Sequence, residues 1–495
     1  MKVTFVYGGF ESLGVESLSA CLKQAGHKTN LIYSPKLFND TMSEISIIAK
    51  LFEHKNYIIK KVIGDKPDIV AFSAVTDDFL WCIDIAKKIK KLKPSIIILF
   101  GGIHITSVPD IVIKHKFIDI LCIGEGEQAI VELCNKLKQK KDIYQIQNLW
   151  VRDFKNNKLI HKNPLRPLIY DLDVLPFSDK DLFYKKAPYN EEHYTIMATR
   201  GCTLNCPFCH HNVERKAYKG HKYGMRTRSP ENIIKELTIA RKKYKFKYIL
   251  FEDDLFLHDK EWIRKFTKLY IKSKINTPWF CVAHVHNIDD DVAEWLNLSG
   301  CKYIEIGIQT LSSQSRESLN RPEETKHILS ALKCLKKHTI AFNCDHIAGI
   351  FGETEQSMLN AAKYYNEIRP NRIYLLFLTL YPNTDIAQEA LKKGYATLKD
   401  VKDKIYGRGG TTTTNGSVHD PMFDYYRFLF GYLPILPKNF VDFLIKTKLF
   451  KKLPKWIFIA SVIPETLSAL FSKKYDFRGP VIIKKYFYHI IRGGF

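Results

Sequence analysis

Along the first third of the chain, short apolar runs alternate with stretches of helical spacing. Residues 3–7 form a strand-like run, and 14–25 follow with helical periodicity closed by Gly26. Residues 68–73, 96–100 and 118–123 predict further strands, and 79–92 a helix ending before Pro94. Continuous apolar strands separated by helices predict a parallel, doubly wound α/β sheet. Two of the strands run into glycine-rich turns, Gly101-Gly102 and Gly124-Glu125-Gly126-Glu127. Such turns fall at the carboxyl edge of the sheet, where open α/β folds bind their ligands.

Residues 149–190 break this rhythm with Pro164, Pro167, Pro176 and Pro188 and predict a linker. A second strand–helix series follows, with strands expected at 194–198, 248–251, 279–283, 303–308, 341–347 and 373–379. Six βα units predict a partial or full barrel over 191–398. Beyond it the pattern changes: 407–416 reads as a flexible loop, and 399–495 as a small, mostly helical carboxy-terminal cap or substrate domain. The expected fold class is α/β, a Rossmann-like sheet over 1–148 followed by a (βα)6 barrel.

Composition narrows the class. Of 495 residues, 45% are hydrophobic and 26% charged, which excludes a disordered chain or a small disulfide scaffold. The late apolar run 456–463, stopped by Pro464, is far short of the ~20 residues a spanning helix needs. The start lacks the charged and apolar regions of a secretory signal, so a cytoplasmic location is expected. A net charge of +24 favours polyanions, anionic membrane surfaces or acidic substrates, or reflects a lysine-rich proteome. From residue 405 on there are 14 basic and 5 acidic residues. The 11 cysteines are mostly scattered, as reduced buried thiols are.

Cys202, Cys206 and Cys209 are the exception, three within one loop directly after a strand. Soft thiolates at these spacings select an iron–sulfur cluster, zinc or copper(I). With His210 and His211 next in the chain, a Cys3His zinc site is the alternative to a cluster.

The CxxxCxxC run, with Phe208 before its last cysteine, resembles the radical S-adenosylmethionine (SAM) superfamily. That resemblance implies a [4Fe-4S] cluster on Cys202, Cys206 and Cys209, with the open iron binding SAM and Phe208 near the adenine. Further matches fall at strand ends. Glu252-Asp253-Asp254 stands where an acid usually meets the methionine ammonium, or simply caps the next helix. Glu305-Ile306-Gly307-Ile308-Gln309-Thr310 resembles the E-x-G-x-Q-S strand that binds ribose. Gly349-Ile350-Phe351-Gly352-Glu353-Thr354 resembles G-x-P-G-E-T, with Phe351 replacing proline. Tyr381-Pro382-Asn383-Thr384 resembles a P-G-T turn, with Asn for Gly. Tyr223, Arg226, Arg228, Ser229 and Pro230 match the run that opens the first barrel helix.

The amino-terminal domain resembles the cobalamin-binding domain of one large radical SAM class. Gly14, Ser73, Gly101, Gly102, Ile103, His104 and the Gly124-Glu125-Gly126 turn carry the likeness, and Asp171-Leu172-Asp173-Val174-Leu175-Pro176 matches that class's linker. Glu11 and Thr76 are taken as further cobalamin contacts. Glu11 stands where other cobalamin proteins place a cobalt-binding histidine, so base-off cobalamin without a protein imidazole is implied. His104 is either a cofactor contact or a surface or turn histidine.

The resemblance implies a cobalamin-dependent radical SAM methyltransferase: one SAM methylates cobalamin, a second yields the 5′-deoxyadenosyl radical, and the substrate radical takes the methyl group. The alternatives are a non-methylating member, such as a ring-forming or rearranging enzyme acting on a tetrapyrrole, lipid or other cofactor, and a nucleic-acid-binding sensor. The full set of SAM motifs speaks against the sensor, and no nucleic acid is expected. A small-molecule or lipid-like substrate and an external donor, flavodoxin or ferredoxin, are implied. Between 440 and 463 apolar residues interleave with Lys446, Lys448, Lys451, Lys452 and Lys455, which reads as a cap helix or as a peripheral membrane contact.

Overall fold

In the computed structural model, β1 (Lys2–Gly8) pairs in parallel with both β2 (Lys28–Ser34) and β3 (Ile69–Ser73). The sheet continues through β4 (Ile97–Gly101) and β5 (Ile120–Cys122) in the order 2-1-3-4-5. The order reverses between β1 and β3, and that switch point is where doubly wound sheets open a crevice. Buried apolar side chains cover both faces of this sheet, as its continuous apolar strands require. The structure describes residues 1–38, 49, 52–156, 158–408, 418, 420–453 and 478–491.

The stretch expected to be linker begins otherwise. β6 (Leu149–Arg152) and β7 (Ile160–Lys162) add to β5 as antiparallel strands and close that edge of the sheet. Strand β2 also went unread, because only Leu31 of its residues is buried and its apolar signal is weak.

The second sheet contains six parallel strands, β8 (His193–Ile196), β11 (Tyr248–Phe251), β12 (Trp279–Ala283), β13 (Cys301–Gln309), β14 (Ala341–Ala348) and β15 (Arg372–Phe377), in chain order across the sheet. Between β8 and β11 a two-stranded antiparallel ribbon, β9 (Thr199–Arg200) with β10 (Arg226–Thr227), pairs Arg200 opposite Arg226. The barrel is an open (βα)6 array whose outer core is Trp279, Phe251, Phe256 and Phe266 with the helices around them.

The carboxy-terminal helices join that core. Tyr426 and Phe430 of the helix Met422–Tyr432 and Val441 and Ile445 of the helix Lys438–Thr447 are buried with Tyr365 of the helix Glu355–Ile368. No helix among the described residues is long and apolar enough to cross a membrane. Residues 409–417, most of the expected loop, and 454–477, which include Lys455 and the run 456–463, lie outside the described residues.

Candidate active site between the two sheets

A cavity of about 360 Å³ opens where the carboxyl edge of the first sheet faces the barrel. Its sheet-side wall combines Gly14, Ser73, Gly101, Gly102, Gly124, Glu125 and Gly126 with apolar side chains such as Leu13, Leu18, Leu99 and Ile130. A Cβ added at Gly14 would meet nothing within 4 Å, so the wall is open at that point. Gly124 holds φ at +72°, and a Cβ there would collide with the Tyr218 hydroxyl, to which Glu125 donates its N–H at 2.9 Å. The barrel side supplies Met197, Arg200, His210, His211, Glu214 and Asp254.

Salt bridges fasten the two walls. Arg200 reaches Glu127 at 2.7 Å and Glu125 at 3.3 Å, and Arg226 reaches Glu125 at 2.7 Å. Burial alone would raise the Glu127 carboxyl, but Arg200 more than offsets it and holds it below the usual range. Asn383, at φ +64°, donates to Ser107 O at 2.7 Å across the same interface. From the linker, Asp173 accepts from Ser229 N at 3.0 Å, tying its motif to the start of the helix Pro230–Lys243.

The cysteine loop leaves β9 through Gly201 at φ +85°, where a Cβ would strike Gly224 O. Cys202 and Cys206 are buried, Cys209 is partly exposed and caps the helix His210–Ala217. Arg215 donates to the carbonyls of Cys202 and Leu204, fixing the loop's shape. Burial raises the Cys202 thiol to about 11 and also raises Cys206, whose nearest opposing charge is Arg321. Such thiolates need a cation beside them, which cluster iron supplies. Among the described residues, the donor atoms close enough together for a single ion belong to His210, His211 and Glu214, not to the cysteines.

The residues expected to bind SAM lie in this loop and on or just after the barrel strands. Phe208 packs against the apolar cluster that contains Ile350 and Phe351. Glu305, Gly307 and Gln309 alternate along one partly exposed face of β13, and Arg321 donates to Gly307 O at 3.1 Å. Gly349 donates its N–H to Glu353 at 2.8 Å. Phe351, in the proline position, is buried and stacks on Tyr395 at 4.6 Å, so the departure from the motif fills a core. Glu252 is half-buried at the end of β11.

Four expected contacts have other partners. Asp253 is buried and accepts hydrogen bonds from the N–H groups of Ala198 and Thr199 and from the Thr199 hydroxyl; burial pushes its pKa up to about 7. It fastens the strand end that leads to the cysteine loop. Glu11 accepts from Lys180 at 2.7 Å and Thr195 at 3.1 Å, off the cavity wall. His104 is fully buried under the helix Ile103–Ser107, with Nδ1 3.1 Å from the Thr76 hydroxyl and its ring 4.2 Å from that of Phe79, so neither His104 nor Thr76 lines the cavity. Burial lowers the His104 pKa to about 4.

Other residues had no spacing signal, because their partners lie across the interface or on another element. Arg200 and Tyr218 bind the Gly124–Glu127 turn, and Arg321 stands beside Cys206. Asp254 Oδ2 lies 3.1 Å from His211 Nε2, whose other nitrogen meets the Tyr223 hydroxyl at 2.7 Å. Burial opposes a charge on His211, but Asp254 and Glu214 prevail and raise its pKa to about 9.

Family models agree with this geometry. Residues 3–134 match the B12 binding domain and 196–365 the radical SAM superfamily. An uncharacterized methyltransferase of Pyrococcus horikoshii is 26% identical over 71% of this chain and 72% of its own. The anaerobic magnesium-protoporphyrin IX monomethyl ester cyclase of Rubrivivax gelatinosus is 24% identical over 79% of this chain and 70% of its own. The cobalamin-dependent radical enzyme OxsB, solved with aqua-cobalamin and SAM bound, superposes with a TM-score of 0.65 at 16% identity, over 97% of this chain and 81% of its own. The fold and site define a radical SAM enzyme with an attached corrinoid domain. The chain joins a B12 binding domain to a radical SAM superfamily domain, and the cofactors that these domains imply are a [4Fe-4S] cluster, SAM and cobalamin.

Proposed function

We propose that this enzyme is a C-methyltransferase that acts on an unactivated carbon of a small molecule. The observation that carries the reading is the joint between the two domains: Arg200, which precedes the cysteine loop, is ion-paired to Glu127 of the glycine-rich turn that lines the cavity. When bound, the cluster with SAM supplies a 5′-deoxyadenosyl radical for hydrogen removal, and cobalamin supplies the methyl group.

The chain's residues have separable tasks. Cys202, Cys206 and Cys209 would hold the cluster. Phe208 in the loop and Glu252, Glu305, Gln309 and Gly349 on or just after the barrel strands would bind SAM, with Arg321 beside Cys206 as a charged neighbour. Gly14, Ser73, Gly101, Gly102, Gly124, Glu125 and Gly126 line the sheet side of the cavity, where their small size would let a corrinoid approach the backbone. Reduction of the cluster calls for an external donor such as flavodoxin or ferredoxin.

Likeness to the Rubrivivax cyclase favours a second reading, a non-methylating ring-forming enzyme. Anaerobic reconstitution with a metabolite extract, read by mass spectrometry, separates the two. A product heavier by one CH2 supports methylation; a product changed only in hydrogen or oxygen content supports the cyclase.

A further inference from the structure

Two carboxy-terminal helices turn large apolar side chains to solvent. On Lys438–Thr447, Phe440 and Phe443 are 47% and 48% exposed while Val441, Leu444 and Ile445 are buried against the barrel core. Leu449 follows at 44% exposure. On Arg478–Ile491 the exposed set is Ile483, Phe487, Ile490 and Ile491, at spacings of four, three and one. These positions share one helix face. The same helix anchors its other side through Val481 and His489 against Tyr189. Each helix is thus fixed to the protein along one face and apolar along the other.

Basic residues surround the first patch. Lys438, Lys446, Lys448 and Lys452 are exposed around Phe440, Phe443 and Leu449. Of the acids in this region, Glu355 is neutralised by Lys448 at 3.1 Å and Lys451 at 3.0 Å, and Asp442, between the two phenylalanines, accepts from Asn366 at 2.7 Å. Exposed apolar faces of this size mark an interaction surface, and a lysine rim selects a negatively charged partner. A second copy of a chain with a net charge of +24 would bring like charges together. Single-stranded nucleic acid wants aromatic platforms for its bases, whereas three of the four exposed residues on Arg478–Ile491 are isoleucines.

We propose that the protein docks on an anionic bilayer through these apolar faces, with the rings and aliphatic chains seated at the headgroup boundary and the lysines on the lipid phosphates. The contact stands apart from the chemistry of the cavity and brings the enzyme to the membrane surface.

Flotation of the full, reconstituted chain tests it, using vesicles of phosphatidylcholine alone or mixed with phosphatidylglycerol, at low and high salt. The protein should float with the anionic vesicles at low salt, leave them at high salt, and ignore neutral ones. Lys446→Glu with Lys452→Glu should weaken binding on the order of twentyfold, at about fivefold per lysine. Phe440→Ser with Phe443→Ser, and separately Ile483→Ser with Phe487→Ser, should also weaken it; these exposed sites should leave the melting temperature and iron content unchanged. Absence of flotation at low salt overturns the proposal. So does binding that the serine variants leave intact, or a patch that instead supports tight binding of a short RNA or a concentration-dependent dimer.

Discussion

Arg200 Nη2 stands 2.7 Å from Glu127 Oε1, joining the residue that opens the cysteine loop to the turn that walls the corrinoid cavity. Through this pair, a glycine-rich turn of the first sheet and the strand that leads into the cysteine loop are held as one unit. Arg226 and Tyr218 complete the joint through Glu125.

Arg200→Met should therefore cost about 3 kcal/mol by leaving a buried carboxylate unpaired. The variant should still load iron on its three cysteines but retain much less cobalamin. Cobalt-to-iron ratios and thermal melting check this; an unchanged ratio would make the pair ornamental.

Acid should remove two separate contributions to stability, against the opposite trend of Asp253, whose raised pKa favours the fold as pH falls from about 7. His104 is kept neutral in the fold, its pKa lowered to about 4 by burial, while an unfolded histidine takes a proton near about 6.5. The His104 contribution thus falls as pH drops from about 6.5 toward 4. Glu127 is held below the usual glutamate value of about 4.3, against burial and by Arg200, so its contribution is full above that value and lost below it. In denaturation curves at several pH values, His104→Gln should remove the first contribution and Glu127→Gln the second.

Gly124→Ala should lower both stability and cobalamin retention, because φ is +72° and the new methyl meets the Tyr218 hydroxyl. Tyr218→Phe should cost about 1–3 kcal/mol by leaving the Glu125 N–H without its acceptor. Equal melting temperatures for wild type and both variants would contradict this account of the turn.

Cys202→Ala, Cys206→Ala and Cys209→Ala combined should abolish cluster absorbance and 5′-deoxyadenosine formation. Bound cobalamin should be base-off, and the cob(II)alamin electron paramagnetic resonance spectrum of wild type should lack the threefold nitrogen splitting of an axial imidazole. His104→Gln should leave that spectrum unaltered, since His104 lies off the cavity wall. Nitrogen splitting in the wild type would contradict the cobalt assignment.

The barrel was legible because its strands are short, mostly apolar runs set between helical stretches; the expected bounds 248–251 and 279–283 match β11 and β12. Strands β6 and β7 were hidden because they are short and antiparallel, at a sheet edge before a proline-rich stretch. The cysteine triad could be read because its three residues share one loop. Arg200 and Glu127 are 73 residues apart, and nothing local to either announces the other. Consecutive acids at a strand end point different ways, so Asp253 turns inward to backbone N–H groups while Asp254 faces the cavity, a difference that spacing does not encode.

The most direct measurement follows a deuterated methyl group from SAM through the reduced, reconstituted enzyme supplied with its substrate fraction. The account predicts a product that carries the intact labelled methyl group less no more than exchange allows, with 5′-deoxyadenosine and S-adenosylhomocysteine formed in equal amounts. Turnover that yields 5′-deoxyadenosine and an altered product without label and without S-adenosylhomocysteine would contradict it.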